Sequence, residues 1–209
     1  MIRILALMAV GFGLMPLTAL AQAPDDGFGA PAFQAFLGSE FADRLRREAL
    51  QRSIGLHEPG CVEPIAFEVT DTWPVAPVAI GEGDVAPTEG MWRERLAVRV
   101  CEEPVIENLV HTFTADGQRT FLLVRGRTEA SLPTQLTLIN DARDVASGDD
   151  NAFGCDIIRF TDTHVVTRYG DGRWLERWNA DACGEDVDLD ILFVPTLDAE
   201  PTYSISAAR

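Results

Sequence analysis

Apolar and polar positions along this chain change their period in the same order twice. From Pro31 to Arg52, Phe33, Phe36, Leu37, Phe41, Leu45 and Ala49 fall at helical spacing, the stripe of a helix lying on a sheet. Gly38-Ser39 interrupts that stripe, and Ser39 is placed to cap a second piece that starts with Glu40. A β-like run, CVEPIAFEVTDT, begins at Cys61, and GMWRERLAVRVC, residues 90–101, then alternates strictly. Period two puts Trp92, Glu94, Leu96, Val98 and Val100 on one face, with Arg93, Arg95, Ala97, Arg99 and Cys101 on the other. The order then recurs. Leu136, Ile139, Ala142, Val145 and Ala146 form a shorter helical stripe ending near Ser147-Gly148, CDIIRFTDT begins at Cys155, and GRWLERWNADAC covers residues 172–183. Its inward face reads Trp174, Glu176, Trp178, Ala180 and Ala182, and beyond it Val187, Leu189, Ile191 and Phe193 alternate with Asp188 and Asp190.

The two alternating runs are copies. Gly90, Trp92, Glu94, Arg95 and Cys101 recur as Gly172, Trp174, Glu176, Arg177 and Cys183, each displaced by 82 positions. The same displacement carries Val105 onto Val187, Leu109 onto Ile191, His111 onto Phe193, Thr120 onto Thr202, Phe121 onto Tyr203 and Leu123 onto Ile205. Upstream, each run from a cysteine closes on Thr-Asp-Thr. An internal duplication accounts for this agreement better than convergent strand chemistry does. The predicted fold class is therefore α+β, with two tandem related modules, each a helix packed on a small antiparallel sheet with an internal disulfide. The expected boundaries are 31–130 and 131–209, either as separate modules or merged into one globule, after a flexible arm at 22–30. Between Trp73 and Gly90 the first copy carries Pro74, Pro77 and Pro87, which predicts an extended surface loop where the second copy has a tight turn at YGDG.

The first residues change the compartment. Arg3 followed by the mostly apolar Ile4 to Leu20, and then Ala19-Leu20-Ala21, has the form of a secretory signal peptide spanning residues 1–21. The apolar stretch is shorter than the ~20 residues that span a bilayer, so no membrane insertion is expected once it is removed. The expected location is the bacterial periplasm, or the medium if the protein is secreted. Four cysteines in an exported chain point to two disulfides with three possible connectivities. Duplication favours Cys61–Cys101 and Cys155–Cys183, one inside each module, over a crossed pairing that would clamp the modules together.

Charge narrows the partners. Lys and Arg number 17 against 33 Asp and Glu, giving −16, and the chain contains no lysine. A field of that sign argues against nucleic acid and anionic lipid. It permits a basic partner, although solubility alone accounts for it.

Candidate chemistry is sparse. Glu94 and Glu176 occupy equivalent inward positions, where a charge must be paired or lie near an edge. They could form an acid/base pair if the modules faced each other, but a structural role, accepting hydrogen bonds from backbone or from an arginine on a neighbouring strand, is the simpler expectation. His57, His111 and His164 have no metal-ligand spacing, although His164 could join acids from elsewhere in the chain. The aspartates of NDARD and SGDDN lack the ladder of a calcium loop. No motif points to a cofactor or a resident metal. Trp73 either offers an exposed aromatic contact to a protein or glycan, or pins its loop to the body. The expected function is a non-catalytic interaction or structural protein with a protein partner. The alternatives are a small-ligand or metal binder and a carboxylate-based acid/base hydrolase. Trp73, Glu94, Glu176 and His164 are the candidate site residues.

Overall fold

Ser39 divides the first helical stripe as its chemistry requires. Its side chain accepts from Ala42 N at 3.2 Å, ending α1 (Pro31–Leu37) and opening α2 (Glu40–His57). The computed structural model describes residues 27–208 apart from 59, 62–64, 82, 102, 149–153 and 198. The expected signal peptide, residues 22–26 of the expected arm and most of SGDDN lie outside the described residues. After α2 come β1 (Ala66–Ala79), β2 (Glu89–Val100), β3 (Glu103–Thr114) and β4 (Gly117–Leu122), an antiparallel meander. A second helix and meander follow: α3 (Leu132–Ser147), β5 (Ile158–Arg168), β6 (Trp174–Ala182), β7 (Glu185–Val194) and β8 (Thr202–Ala207). Helix α3 begins earlier than its apolar stripe implies, because Ser131 caps it by accepting from Thr134 N at 3.3 Å.

The fold is α+β, with two four-stranded sheets, a helix on each, and one disulfide per module. Cys61 is bonded to Cys101 and Cys155 to Cys183, each with a Cα–Cα distance of 5.8 Å. Cys101 and Cys183 have φ of 45° and 56°, because each begins a two-residue hairpin whose backbone must turn through the left-handed region. The ladders match too. Trp92 lies opposite His111 and Trp174 opposite Phe193, and from Trp92 to Val100 adding 82 to both residues of a β2–β3 pair gives a β6–β7 pair.

Three expectations about the copies are corrected. Trp73, Pro74 and Pro77 do not belong to a surface loop: β1 continues through Ala79 and stays paired with β2. The prolines are tolerated because β1 is an edge strand, with register shifts between Val69 and Asp71 and again beyond Pro74. The two Thr-Asp-Thr runs are not equivalent, since Asp71 lies opposite Arg95 whereas Asp162 lies opposite Asn179. Bulges at different points in β1 and β5 separate them. The last strands are displaced by 83 rather than 82, as Thr120 faces His111 and Tyr203 faces Phe193. That single residue decides which side chains face inward: Phe121 is 48% exposed, while Tyr203 packs against the second core.

Each sheet buries the face that its period assigns. In the first module Phe33 and Phe36 meet Trp92 edge-on at 5.1 and 5.7 Å, while Leu50 packs in a neighbouring cluster with Leu96 and Leu109. In the second, Leu138 and Ala142 of α3 cover Trp178, Leu189 and Ile191. The connection between modules is part of both. Gly126 N donates to Ile106 O at 2.8 Å, and Arg127 N to Thr163 O at 2.5 Å, while Val124 and Ala130 enter the second core. Gly126 has φ of 91°, and a Cβ there would lie 2.2 Å from Thr163 N, so this crossing requires glycine. Among the described residues no helix is long and apolar enough to cross a membrane.

The disulfides close 40 and 28 residues of chain. Loop-closure entropy assigns each about 3 to 4 kcal/mol. Replacing Cys155 and Cys183 together by alanine is expected to lower the unfolding free energy by that amount in urea denaturation. Non-reducing peptide mapping of the wild type should recover Cys61 with Cys101 and Cys155 with Cys183.

Candidate functional site

Equivalent position does not mean equivalent chemistry for the two repeated glutamates. Glu94 is 1% exposed and Glu176 is 0% exposed. Arg46, from the inner face of α2, grips Glu94 with two bonds of 2.7 Å, from Nε to Oε2 and from Nη2 to Oε1. His111 Nε2 lies 3.2 Å from Glu94 Oε2, its Nδ1 lies 3.0 Å from Thr120 Oγ1, and its ring stacks on Trp92 at 5.0 Å. Burial alone pushes the Glu94 carboxyl up, but the Arg46 and His111 hydrogen bonds outweigh it and bring it down to about 2. The arginine comes from the helix and not from a neighbouring strand, because the helix lies directly over that face. Among the described residues no arginine forms an ion pair with Glu176. It accepts from Glu129 N at 2.7 Å and from the indole N–H groups of Trp174 and Trp178, both at 2.9 Å.

A third carboxylate, overlooked in the pattern, completes the set. Glu107 is 1% exposed on β3 and accepts from Ser53 Oγ and from Arg125 Nε, both at 2.7 Å. Arg125 also reaches Glu58, and its carbonyl accepts from Thr163 Oγ1 at 2.6 Å. Burial pushes Glu107 above the ordinary carboxyl range against the pull of Arg125 and Ser53. The signal was present in both cases. Arg46 shares the helical stripe of Ala42, Leu45 and Ala49, and Glu107 shares the inward alternation of Leu109, His111 and Phe113. All three carboxylates serve as internal anchors.

Trp73 is placed on the opposite face of the first sheet. Across the ladder it faces Arg93, and the guanidinium groups of Arg93 and Arg95 lie over its ring at 5.4 and 5.0 Å. Arg93 Nη2 donates to Asn108 Oδ1 at 3.2 Å, and Arg95 Nε approaches the same oxygen at 3.5 Å. Burial, and then the neighbouring Arg95 charge, lowers Arg93 to about 10. These residues open onto a cleft of about 430 Å³ between the modules, whose far wall is formed by Thr128 to Pro133.

His164 is exposed, with Nδ1 3.3 Å from Asp162 Oδ2, and it does not meet Glu94, Glu176 or Trp73. Among the described residues no three His, Cys, Asp or Glu side chains are grouped to hold a metal ion. In comparisons with known proteins, no family model, curated protein or solved structure matches this chain.

Two predictions concern the buried groups. Arg46→Met leaves Glu94 a buried charge without its main partner, a loss expected to cost about 3 to 5 kcal/mol. Adding Glu94→Gln to that variant should restore part of the loss, measured as coupling in a double-mutant cycle. Equal costs for the single and double variants would remove the ion pair from the account.

His57 supplies a pH test. Its Nδ1 is buried without a partner, and burial, then the Arg125 charge, lowers it from 6.5 to about 4. The unfolded chain takes up a proton below pH 6.5 while the folded chain does not, so this contribution is complete above pH 6.5 and lost as pH falls to about 4. Urea unfolding between those limits should show a shallower decline for His57→Gln than for the wild type. At Glu94 the corresponding loss lies lower, from 4.5 down to about 2.

Proposed function

We propose that this is a non-catalytic interaction protein of an oxidising compartment, the bacterial periplasm, which holds a protein partner against the cleft beside Trp73. The observation that carries the reading is the use made of Glu94 and Glu176. These are the carboxylates to which an acid/base hydrolase would turn, and both are enclosed at 1% and 0% exposure with their oxygens taken by internal donors. A general acid or base must come within hydrogen-bond reach of a substrate proton. The cleft, by contrast, is open and combines an aromatic ring, two arginines and prolines on a framework held by two disulfides. Trp and Arg supply much of the binding energy at protein interfaces when they are held in place beforehand. The disulfides and the signal-like first residues support export.

The test is capture by crosslinking in native envelope extract, using the mature, oxidised protein. A single macromolecule is expected at stoichiometric yield, displaced by excess free protein and retained by folded Glu94→Gln and Glu176→Gln variants. A hydrolytic turnover that either substitution abolishes without unfolding the protein would overturn this reading.

A further inference from the structure

We propose that the cleft beside Trp73 is a receptor for an acidic peptide segment, in which one carboxylate of the partner is gripped jointly by Arg93 and Arg95. The inference rests on the binding function proposed above and names the chemistry that the cleft would recognise.

The second module shows what the first has left unneutralised. Arg177, the counterpart of Arg95 at a displacement of 82, is held by Asp190 through bonds of 2.9, 3.0 and 3.2 Å. The residue at the position of Asp190 in the first module is Asn108, a neutral amide. Its Nδ2 donates to Val124 O and Gly126 O, both at 2.9 Å, so the amide is committed to the crossing segment and offers the arginines only Oδ1. Arg93 adds a second charge where the second module has Leu175.

The partners of this arginine pair are few. Arg95 Nη1 lies 3.4 Å from Asp71 Oδ2, a long contact to a half-exposed carboxylate. Among the described residues no carboxylate comes within 4.0 Å of Arg93, and its Nε is buried with no hydrogen-bond partner. Two other acids are near. Glu129 lines the cleft but is bonded to Arg168, and the charge of Glu176 reaches Arg93 although its oxygens are occupied by Glu129 N and the two indoles. Among the described residues, these two adjacent guanidinium groups have a single carboxylate in direct contact, in a protein of net charge −16. The Trp73 ring lies against both and so reduces the entropy lost on binding.

The surroundings select the ligand. Nucleic acid and polyphosphate carry a charge at every phosphate and meet the unfavourable field of the whole chain many times over, whereas a segment with one carboxylate at the arginines meets it once. A single carboxylate matches the paired N–H edges of the guanidinium groups. On either side of the arginines the walls carry Pro74 and Val75, and Leu132 and Pro133, which suit apolar residues flanking that carboxylate. Pro74 also removes a backbone donor from the edge of β1, so the segment is recognised through its side chains and not by adding a strand.

Titration calorimetry of the oxidised full-length mature protein with acetyl-Leu-Glu-Leu-amide and its Gln counterpart tests this. The Glu peptide is expected to bind at least tenfold more tightly, with Arg93→Gln and Arg95→Gln each removing at least tenfold. Glu129→Gln should strengthen binding, and Arg119→Gln, on β4, should leave it unchanged. Nitrogen-detected NMR of the unmodified protein gives a readout that needs no variant: the Arg93 and Arg95 side-chain signals should shift with the Glu peptide and not with the Gln peptide. Equal binding of the two peptides, or none up to millimolar concentration, overturns the proposal. Acetate binding as tightly as the Glu peptide also overturns it, in favour of a small-acid site. A partner captured equally well by wild type, Arg93→Gln and Arg95→Gln would leave the interaction function standing while ending this assignment.

Discussion

Burying three carboxylates is the constraint from which most of this architecture follows. A charge removed from water costs several kcal/mol unless donors are already in place around it. Glu94, Glu107 and Glu176 are each at most 1% exposed, so each dictates where another element must lie. Glu94 positions α2 through Arg46. Glu107 draws in the crossing segment through Arg125, which also ties that segment to Ser53 of α2 and to Glu58 at its C-cap. Glu176 receives the end of the same segment at Glu129 N and orients two tryptophans. Apolar burial supplies the larger driving force, but it is non-directional. The carboxylates set the angle at which helix, connection and sheet meet.

The duplicated position also shows how far a copied framework can diverge while keeping its backbone. Glu94 is balanced by a bidentate arginine and a histidine, whereas Glu176 is satisfied by neutral N–H groups. The cross-strand partner changes in step. His111 stacks on Trp92 and can also meet Glu94, while Phe193 stacks on Trp174 at 4.6 Å and leaves that indole N–H to reach Glu176. One ladder register thus supports two electrostatic solutions, because the backbone pairing does not depend on either.

What could be read in the sequence follows from the same distinction. Period two identified the inward faces of β2 and β6, and the repeated cysteines identified both disulfides, because these depend on local spacing and on the copied order. The Ser39 cap was legible for the same reason. Bulges were not: one extra residue in β1 or β5 has no firm composition signal, so the two Thr-Asp-Thr runs looked equivalent when they are not. Pro74 and Pro77 read as part of a loop, although an edge strand tolerates proline where no donor is needed; Pro87 does lie between β1 and β2. Arg46 and Arg125 reach their carboxylates across 48 and 18 residues, respectively. Their positions among apolar neighbours mark them as buried polar groups, but the identity of each partner depends on packing. The Trp73 cleft lay furthest from view, because its far wall belongs to the segment joining the modules.

That segment also explains why the arginine face of the first module differs from its copy. A carboxylate at position 108 would neutralise Arg95 as Asp190 neutralises Arg177, but it could not donate to Val124 O and Gly126 O. Those two carbonyls would then lose their donor where the connection crosses the sheet, and a buried acceptor without a partner is costly. Only the first module carries this crossing against β3, so only there does the amide replace the acid. Joining the modules therefore withdraws a negative charge from beside two arginines, and the under-neutralised arginine pair is a physical consequence of the joint.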